Sequence, residues 1–151
     1  MNPGGVSTLR GWKPGVLQKL MDSGMSLKEA QEEATKNGDL VFEDKTHNLV
    51  TSTGFSLIGS FLLNEGPAGI LYHAIGTGSG TPAESDIALF SEFARKEWTL
   101  TSMTGDTISF TVFYAAAECT AVLTEAGTFA DDASATPGSG TMFSHYLQPK
   151  D

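Results

Sequence analysis

The order of the periodic segments along the chain limits the folds open to it. Two segments with helical spacing of apolar residues lie in the first 65 residues, and short alternating segments separated by Gly-rich turns follow. Parallel strands need a long crossover, usually a helix, between them, and no helical segment separates the later strands. The order therefore predicts a mainly β chain: an antiparallel β-sandwich or jelly-roll domain with an N-terminal arm and two helices.

The two helices are predicted near residues 26–36 and 53–63. Ser26 and Glu29 have the spacing of a capping box at the start of the first helix. Apolar residues share one face in each segment: Leu27, Ala30 and Ala34 in the first, and Phe55, Ile58, Phe61 and Leu62 in the second. Because the apolar face of the second helix is wide, we expect this helix to be well buried against a sheet.

Strands are predicted where polar and apolar residues alternate or where short apolar runs lie between turn residues. In chain order these segments are 40–43, 70–76, 93–100, 107–115, 120–124 and 142–147. Polar residues predict a turn at 44–48, and small residues predict long loops at 76–86 and 133–140. The pattern indicates a single β-sandwich domain over residues 26–151.

Residues 1–25 are predicted to form an extended N-terminal arm, because they are rich in Gly and Pro and only weakly periodic. Trp12 is a large aromatic residue in this flexible context, and Leu17 and Leu20 have the spacing of a short helical turn. An aromatic anchor of this kind suits a partner surface; the alternative is an N-terminal strand packed on the chain's own domain. We expect Trp12, Leu17 and Leu20 to contact a partner.

The chain is strongly acidic, with 9 basic and 18 acidic residues and a net charge of −9. A surface of that sign repels phosphate, which argues against binding to nucleic acid or to anionic membranes. No apolar run approaches the roughly 18 residues of a membrane span, and the first residues lack the apolar core of a signal peptide. We therefore expect a protein that stays in the cytoplasm or leaves it by lysis.

The Gly-rich run at 76–80, Gly-Thr-Gly-Ser-Gly, invites comparison with a nucleotide-binding loop. It lacks the G-x-G-x-x-G spacing, no Lys-Ser/Thr pair follows it, and Thr81-Pro82 interrupts the position where a helix should begin. We interpret the run as a flexible connector, and the sequence predicts no cofactor.

Residue types that carry catalysis or bind metals are scattered along the chain. The three histidines are not at metal-ligand spacing, Asp131-Asp132 lacks the other oxygen donors of a calcium loop, and the single Cys119 has apolar neighbours. The acidic residues of the first predicted helix fit a solvated face, and no G-x-S-x-G nucleophile motif occurs. The sequence therefore predicts no metal site, no catalytic residue and a protein that is not an enzyme.

Four motifs between Asn48 and Phe129 resemble a pattern of tailed-bacteriophage virion proteins, in which N-L-V-T-x-x-G opens a helix, L-x-x-E-x-x-R leads into a strand and E-x-G-L-F ends one. In chain order they are Asn48-Leu49-Val50-Thr51-Ser52-Thr53-Gly54; Ala74-Ile75-Gly76-Thr77-Gly78 with Thr81-Pro82 and Ser85-Asp86; Leu89 with Glu92 and Arg95; and Leu123-Thr124-Glu125-Ala126-Gly127-Thr128-Phe129. Thr128 departs from the pattern, which often has an apolar residue there. The resemblance covers a little over half of the chain.

The resemblance implies a structural component of a tailed-phage virion, most readily a capsid decoration (cement) protein that stabilises the head through contacts between subunits. A tail-fibre or tail-tip protein, structural or host-recognising, is the alternative. The resemblance also implies a homo-oligomer, with a trimer favoured, that contacts other virion proteins such as the major capsid protein after assembly in the host cytoplasm. We further expect Glu92 and Arg95 to form an exposed pair, worth under about 1 kcal/mol, that holds a long loop on the sheet.

Overall fold

The computed structural model describes residues 5–147 of the chain. Within this range the chain forms nine strands, three α-helices and a short 3-10 helix at Ala116–Glu118. The strands are β1 (Val6–Trp12), β2 (Leu40–His47), β3 (Leu49–Val50), β4 (Ile70–Gly76), β5 (Glu92–Glu97), β6 (Leu100–Thr104), β7 (Thr107–Thr111), β8 (Glu125–Ala130) and β9 (Thr141–Leu147). The helices are α1 (Val16–Asp22), α2 (Leu27–Lys36) and α3 (Ser52–Leu62). The prediction of a mainly β chain is confirmed.

A five-stranded sheet forms the centre of the fold, with the strand order β3-β9-β8-β4-β5. All neighbouring strands in it are antiparallel, and the central strand β8 pairs with β9 on one side and with β4 on the other. Two smaller antiparallel sheets are the ribbons β1–β2 and β6–β7. The antiparallel arrangement is therefore confirmed, whereas the sandwich or jelly-roll arrangement stays a prediction.

Both faces of the central sheet are covered by loop segments. Ala74 and Ile75 are consecutive residues of β4, so their side chains point to opposite faces. The buried cluster on the Ala74 face also contains Leu89, Phe129, Ala133 and Met142. The cluster on the Ile75 face contains Ala126 and Tyr146, with Ala94, Tyr114, Cys119 and Leu123 packed against it. The loops before β5 and after β8 thus cover one face, and the segment between β7 and β8 covers the other.

The prediction of an extended arm over residues 1–25 is wrong for its described part, residues 5–25, which contains a strand and a helix. Strand β1 pairs along its length with β2, from Val6 opposite His47 to Trp12 opposite Leu40. This pairing also extends β2 through residues 44–47, which the sequence predicts as a turn, because β1 supplies hydrogen-bond partners that a local pattern does not show. The structure therefore contains the alternative, an N-terminal strand on the chain's own body.

Helices α2 and α3 confirm the two predicted helices, but α3 is less buried than expected. The capping box of Ser26 and Glu29 is present at the start of α2. In α3 only Gly54 and Leu57 are buried. The backbone of β9 lies so close to Gly54 that an added Cβ would overlap it, and only a narrow strip of the helix surface around Gly54 contacts the sheet. Most of the apolar face of α3 points away from the sheet, and Leu62 is 82% exposed.

Other predicted strands also have different boundaries in the structure. Residues 120–124 are irregular, and β8 begins only at Glu125, because Thr124 donates from its backbone N–H and from its hydroxyl to carbonyls of Gly76 and Gly78. The segment 93–100 divides into β5 and β6, which belong to different sheets. The strand predicted at 107–115 ends at Thr111, and the turn before it has Gly105 at a φ of 61°.

Candidate functional site

The carboxylate of Glu125 is fully buried at the start of the central strand β8. Its Oε1 accepts hydrogen bonds from the backbone N–H groups of Gly78 at 2.9 Å and Ser91 at 2.7 Å, and its Oε2 accepts one from Phe90 at 2.9 Å. Backbone N–H groups that converge in this way form an anion-binding nest. The Gly-rich run at 76–80 therefore supplies one of the three donors, Gly78, and is bound to a side chain of its own chain rather than being a flexible connector.

The glycines of this loop are required by the close approach of Glu125. A Cβ added at Gly76 would lie 2.6 Å from Glu125 Oε1, and one added at Gly78 would overlap the same oxygen. Larger residues at these positions would push the loop away from the carboxylate. The sequence carries one signal for this site: Glu125 is the only charged residue in β8, whose other residues are small or apolar.

His145 of β9 joins Glu125 to a second carboxylate. The Nε2 atom of His145 lies 3.0 Å from Glu125 Oε2, and its Nδ1 atom lies 2.7 Å from Asp86 Oδ2. His145 thus bridges the side chains of Asp86 and Glu125, and the side chains of His145 and Glu125 are fully buried.

A second buried pair fixes the loop between β8 and β9. Arg95 contacts Glu92 through Nε at 2.5 Å and through a terminal nitrogen at 2.7 Å, and its side chain is 1% exposed. The guanidinium also donates to the carbonyls of Ser134 and Ser139, and it lies 4.5 Å from the centre of the Phe129 ring. The expected Glu92–Arg95 pair is present, but it is buried rather than exposed, so removing either partner would leave an unpaired charge in the interior.

The start of α3 is attached to β9 by hydroxyl groups. Thr51 caps the helix by accepting from Gly54 N–H at 3.0 Å and donates to the carbonyl of Met142 at 2.7 Å. Thr53 donates to the same carbonyl at 2.8 Å. A Cβ at Gly54 would overlap the carbonyl oxygen of Phe143, so this position needs glycine.

The four motifs that resemble the virion pattern meet around β8 and β9. The first starts α3 against β9, the second supplies Gly78 to the nest, the third supplies Leu89 and the Glu92–Arg95 pair, and the fourth supplies Glu125 and Phe129. Residues as far apart as Thr51 and Met142 are in direct contact. The motifs thus lie side by side in the fold: their polar groups form three hydrogen-bonded sets around Thr51, Glu125 and Arg95, and Leu89, Phe129 and Met142 pack in one apolar cluster.

His73 lies in a separate polar cluster on the other face of the sheet. Tyr114 donates its hydroxyl to the carbonyl of His73 at 2.8 Å, so this hydroxyl accepts from Nδ1 at 3.2 Å. Nε2 is then left to accept from the Tyr146 hydroxyl at 2.7 Å. Burial lowers the pKa of His73 to about 4 and raises the pKa of Tyr146 to about 12, so these rings are neutral packing elements at neutral pH.

The residues predicted to contact a partner lie in the N-terminal part of the chain's own core. Leu17 is 4% exposed and packs with Leu27, Ala30 and Ala34 of α2. Trp12 and Leu20 are partly buried against this cluster, and the indole N–H of Trp12 donates to the Thr35 hydroxyl at 3.2 Å. Leu17 therefore has little surface to offer, and a partner contact of Trp12 and Leu20 stays a prediction.

The other residues that the sequence analysis considered have local roles. Glu29 accepts from the backbone and hydroxyl of Ser26, which lowers its pKa. Asp131 has a positive φ of 62° and accepts from Ala68 N–H at 3.4 Å. Partial burial raises the pKa of the Cys119 thiol. Within residues 5–147 no group of three or more His, Cys, Asp or Glu side chains is arranged to hold a metal ion.

Two apolar surfaces are open to solvent. The first is the outer face of α3 and the residue after it, where Phe55, Ile58, Phe61, Leu62 and Leu63 are 36–82% exposed. The second is the β6–β7 ribbon, in which every residue from Leu100 to Phe110 is exposed. Exposed apolar surface of this extent marks interaction sites in soluble proteins, so these surfaces are the candidate functional sites of the chain.

A shallow cleft of about 460 Å³ lies at the base of the β6–β7 ribbon. It is lined by Ile70, Leu71, Tyr72, Glu97, Trp98, Thr101 and Ala133. The Trp98 ring lies between His73 and Phe110, with ring centres 5.6 and 4.9 Å away, and its N–H donates to the carbonyl of Ile70 at 2.9 Å. Trp98 is thus held in place by contacts within its own chain.

Compared with known proteins, the chain matches no family model, no curated protein and no solved structure. The part of the chain that the structure describes contains no helix long and apolar enough to cross a membrane. The functional argument therefore depends on the motifs, on the network that they form and on the two apolar surfaces.

Proposed function

We propose that this chain is a non-enzymatic structural component of a tailed-phage virion, with capsid decoration as the specific role. The observation that supports the proposal is the packing of the four motifs against one another around β8 and β9. Motifs that matched by chance would have no reason to meet in space, whereas motifs of one structural unit would. A sandwich or jelly-roll assignment belongs to the same proposal.

The distribution of polar groups also supports a structural role. The carboxylates, imidazole and guanidinium of the network bond to groups of the same chain, so they are not available to a substrate. A catalytic site needs a concave, accessible place where acid, base or nucleophile converge. Among the accessible features, the outer face of α3 and the apolar face of the β6–β7 ribbon carry no charged side chain, as the core of an assembly contact between virion subunits requires.

The location of the chain in purified particles tests the proposal. Particles would be collected from the lysate in which the chain is made, and quantitative mass spectrometry would compare its copy number with that of the major capsid protein. A decoration protein gives a copy number of the same order, and a tail protein gives a small fraction of it. Absence of the chain from the particles would overturn the virion assignment.

Electron microscopy distinguishes head from tail directly. Reconstructions of particles that carry the chain with a C-terminal protein tag would be compared with reconstructions of untagged particles. The proposal predicts extra density at symmetric positions on the outer head surface. Extra density at the tail tip or fibres would replace decoration with the tail alternative while keeping the virion role.

A further inference from the structure

The β6–β7 ribbon is an amphipathic hairpin with an uncovered apolar face. The register pairs Met103 with Ile108 and Thr101 with Phe110, so these four residues share one face. Met103 is 70% exposed, Ile108 is 60% exposed and Phe110 is 38% exposed. The opposite face carries mainly hydroxyl groups of Ser and Thr. The hairpin thus exposes apolar side chains to water, which does not stabilise a single chain.

A ribbon of this kind is weak on its own. Two-stranded sheets are at best marginally stable in water unless a third strand or another packed layer covers them. Within residues 5–147 such cover lies at the base of the ribbon, where the Phe110 ring contacts Trp98 with ring centres 4.9 Å apart. The outer half, around Met103 and Ile108, therefore needs a layer from another molecule to become ordered to the same degree.

The charge distribution indicates what that other molecule is. Between Trp98 and Thr111 the only charged residue is Asp106, in the turn at the tip. Two copies of a chain with a net charge of −9 repel each other, so they can approach most easily through surfaces without charge. A basic partner would instead be recognised through acidic side chains, which the faces of the hairpin lack.

The cleft at the base of the hairpin provides a complementary surface on the same side. Thr101 belongs both to the apolar face and to the lining of the cleft, next to Ile70 and Leu71. Leu71 is 36% exposed in this lining. Each copy therefore carries the apolar face of the hairpin beside a cleft whose one charged lining residue is Glu97, and a second copy can cover the hairpin face.

We infer that the β6–β7 hairpin is a self-association element, whose apolar face packs on the hairpin of a second copy of this chain. Contact between the two hairpin faces removes Met103 and Ile108 from water without placing charged side chains on those faces, because Asp106 lies in the turn at the tip. The inference deepens the homo-oligomer of the proposed function, but it depends on the geometry of the hairpin and not on the virion assignment.

Sedimentation of the purified full chain over a range of concentrations tests the inference. The wild-type chain should associate reversibly, and Met103→Glu and Ile108→Glu should each raise the concentration of half-association at least tenfold. Val122→Glu is the matched control, since Val122 is 77% exposed and lies outside the hairpin and the cleft; it should leave association unchanged. A chain that stays monomeric at the highest soluble concentration, or a control that weakens association as much as the hairpin variants, overturns the inference.

Hydrogen exchange of the wild-type chain gives a second result that needs no variant. The amides of residues 100–111 should exchange more slowly at high than at low protein concentration, whereas the core strand β8 should not change. Exchange in the hairpin that is independent of concentration counts against the inference even if the variants unfold. Particle composition is a separate measurement, so self-association and the virion role can fail independently.

Discussion

Replacing Glu125 with Gln removes a charge and keeps the shape, which makes it the sharpest test of the buried network. Each carboxylate oxygen of Glu125 has two hydrogen-bond partners: Gly78 and Ser91 on one side, Phe90 and His145 on the other. The NH₂ group of Gln must occupy one of these positions, and it cannot accept from a backbone N–H. The bonds from Gly78 and Ser91 are lost in one orientation; in the other the bond from Phe90 is lost, while the imidazole of His145 can accept from the NH₂ group.

The expected loss of stability is large relative to that of a typical domain. A hydrogen bond to a charged group contributes about 1.5–3 kcal/mol, and removing one partner of a buried ion pair costs about 3–5 kcal/mol. Because these two figures describe overlapping interactions, we expect the free energy of unfolding to fall by about 4 kcal/mol. For a chain of 151 residues, this corresponds to a decrease in Tm of roughly 8–16 °C.

Urea denaturation followed by Trp fluorescence and circular dichroism measures this difference. Glu118→Gln is the control, because Glu118 pairs with Lys96 at 2.9 Å but its side chain is 41% exposed; this change should cost under about 1 kcal/mol. If Glu125→Gln loses no more stability than the control, the nest does not hold the loop before β5 and the structural reading of the network is wrong.

Three further experiments test other parts of the structure. Gly54→Ala should destabilise the chain because its Cβ overlaps a carbonyl of β9, whereas Gly59→Ala, with no atom near the added Cβ, should stabilise it by up to about 1 kcal/mol; thermal melts of the two variants should shift in opposite directions. Burial lowers the folded-state pKa of His73 to about 4, so the unfolded chain binds the proton first and the free energy of unfolding falls as pH drops from about 6.5 to 4. The contribution of His73 to the free energy of unfolding is about 3 kcal/mol. The urea midpoint should therefore fall less between pH 7 and pH 4 for His73→Gln than for the wild type. Arg95→Lys cannot reproduce the two-pronged contact and should cost about 2–4 kcal/mol; unchanged hydrogen exchange in residues 134–139 would contradict the role of Arg95 in holding that loop.

Local patterns predicted the elements whose stability depends on neighbouring residues. The capping box at Ser26 and the periodic residues after it define α2 because helix hydrogen bonds join residues four apart. The strand at Ile70–Gly76 has the predicted limits because a short apolar run between turn residues is itself a local signal. The prediction failed for residues 5–25, since β1 forms only through pairing with β2, more than thirty residues later in the chain.

The sequence by itself determined a mainly antiparallel β chain, two of its helices and the motifs that resemble virion proteins. Only the tertiary structure decided that the Gly-rich loop wraps the carboxylate of Glu125, 47 residues away from Gly78, and that His145 lies between two acids. It also decided which apolar residues of α3 and of the β6–β7 hairpin stay exposed. The physical reason is that periodicity reports which face of an element is apolar, whereas charge compensation and burial depend on which distant segments come to lie against that face.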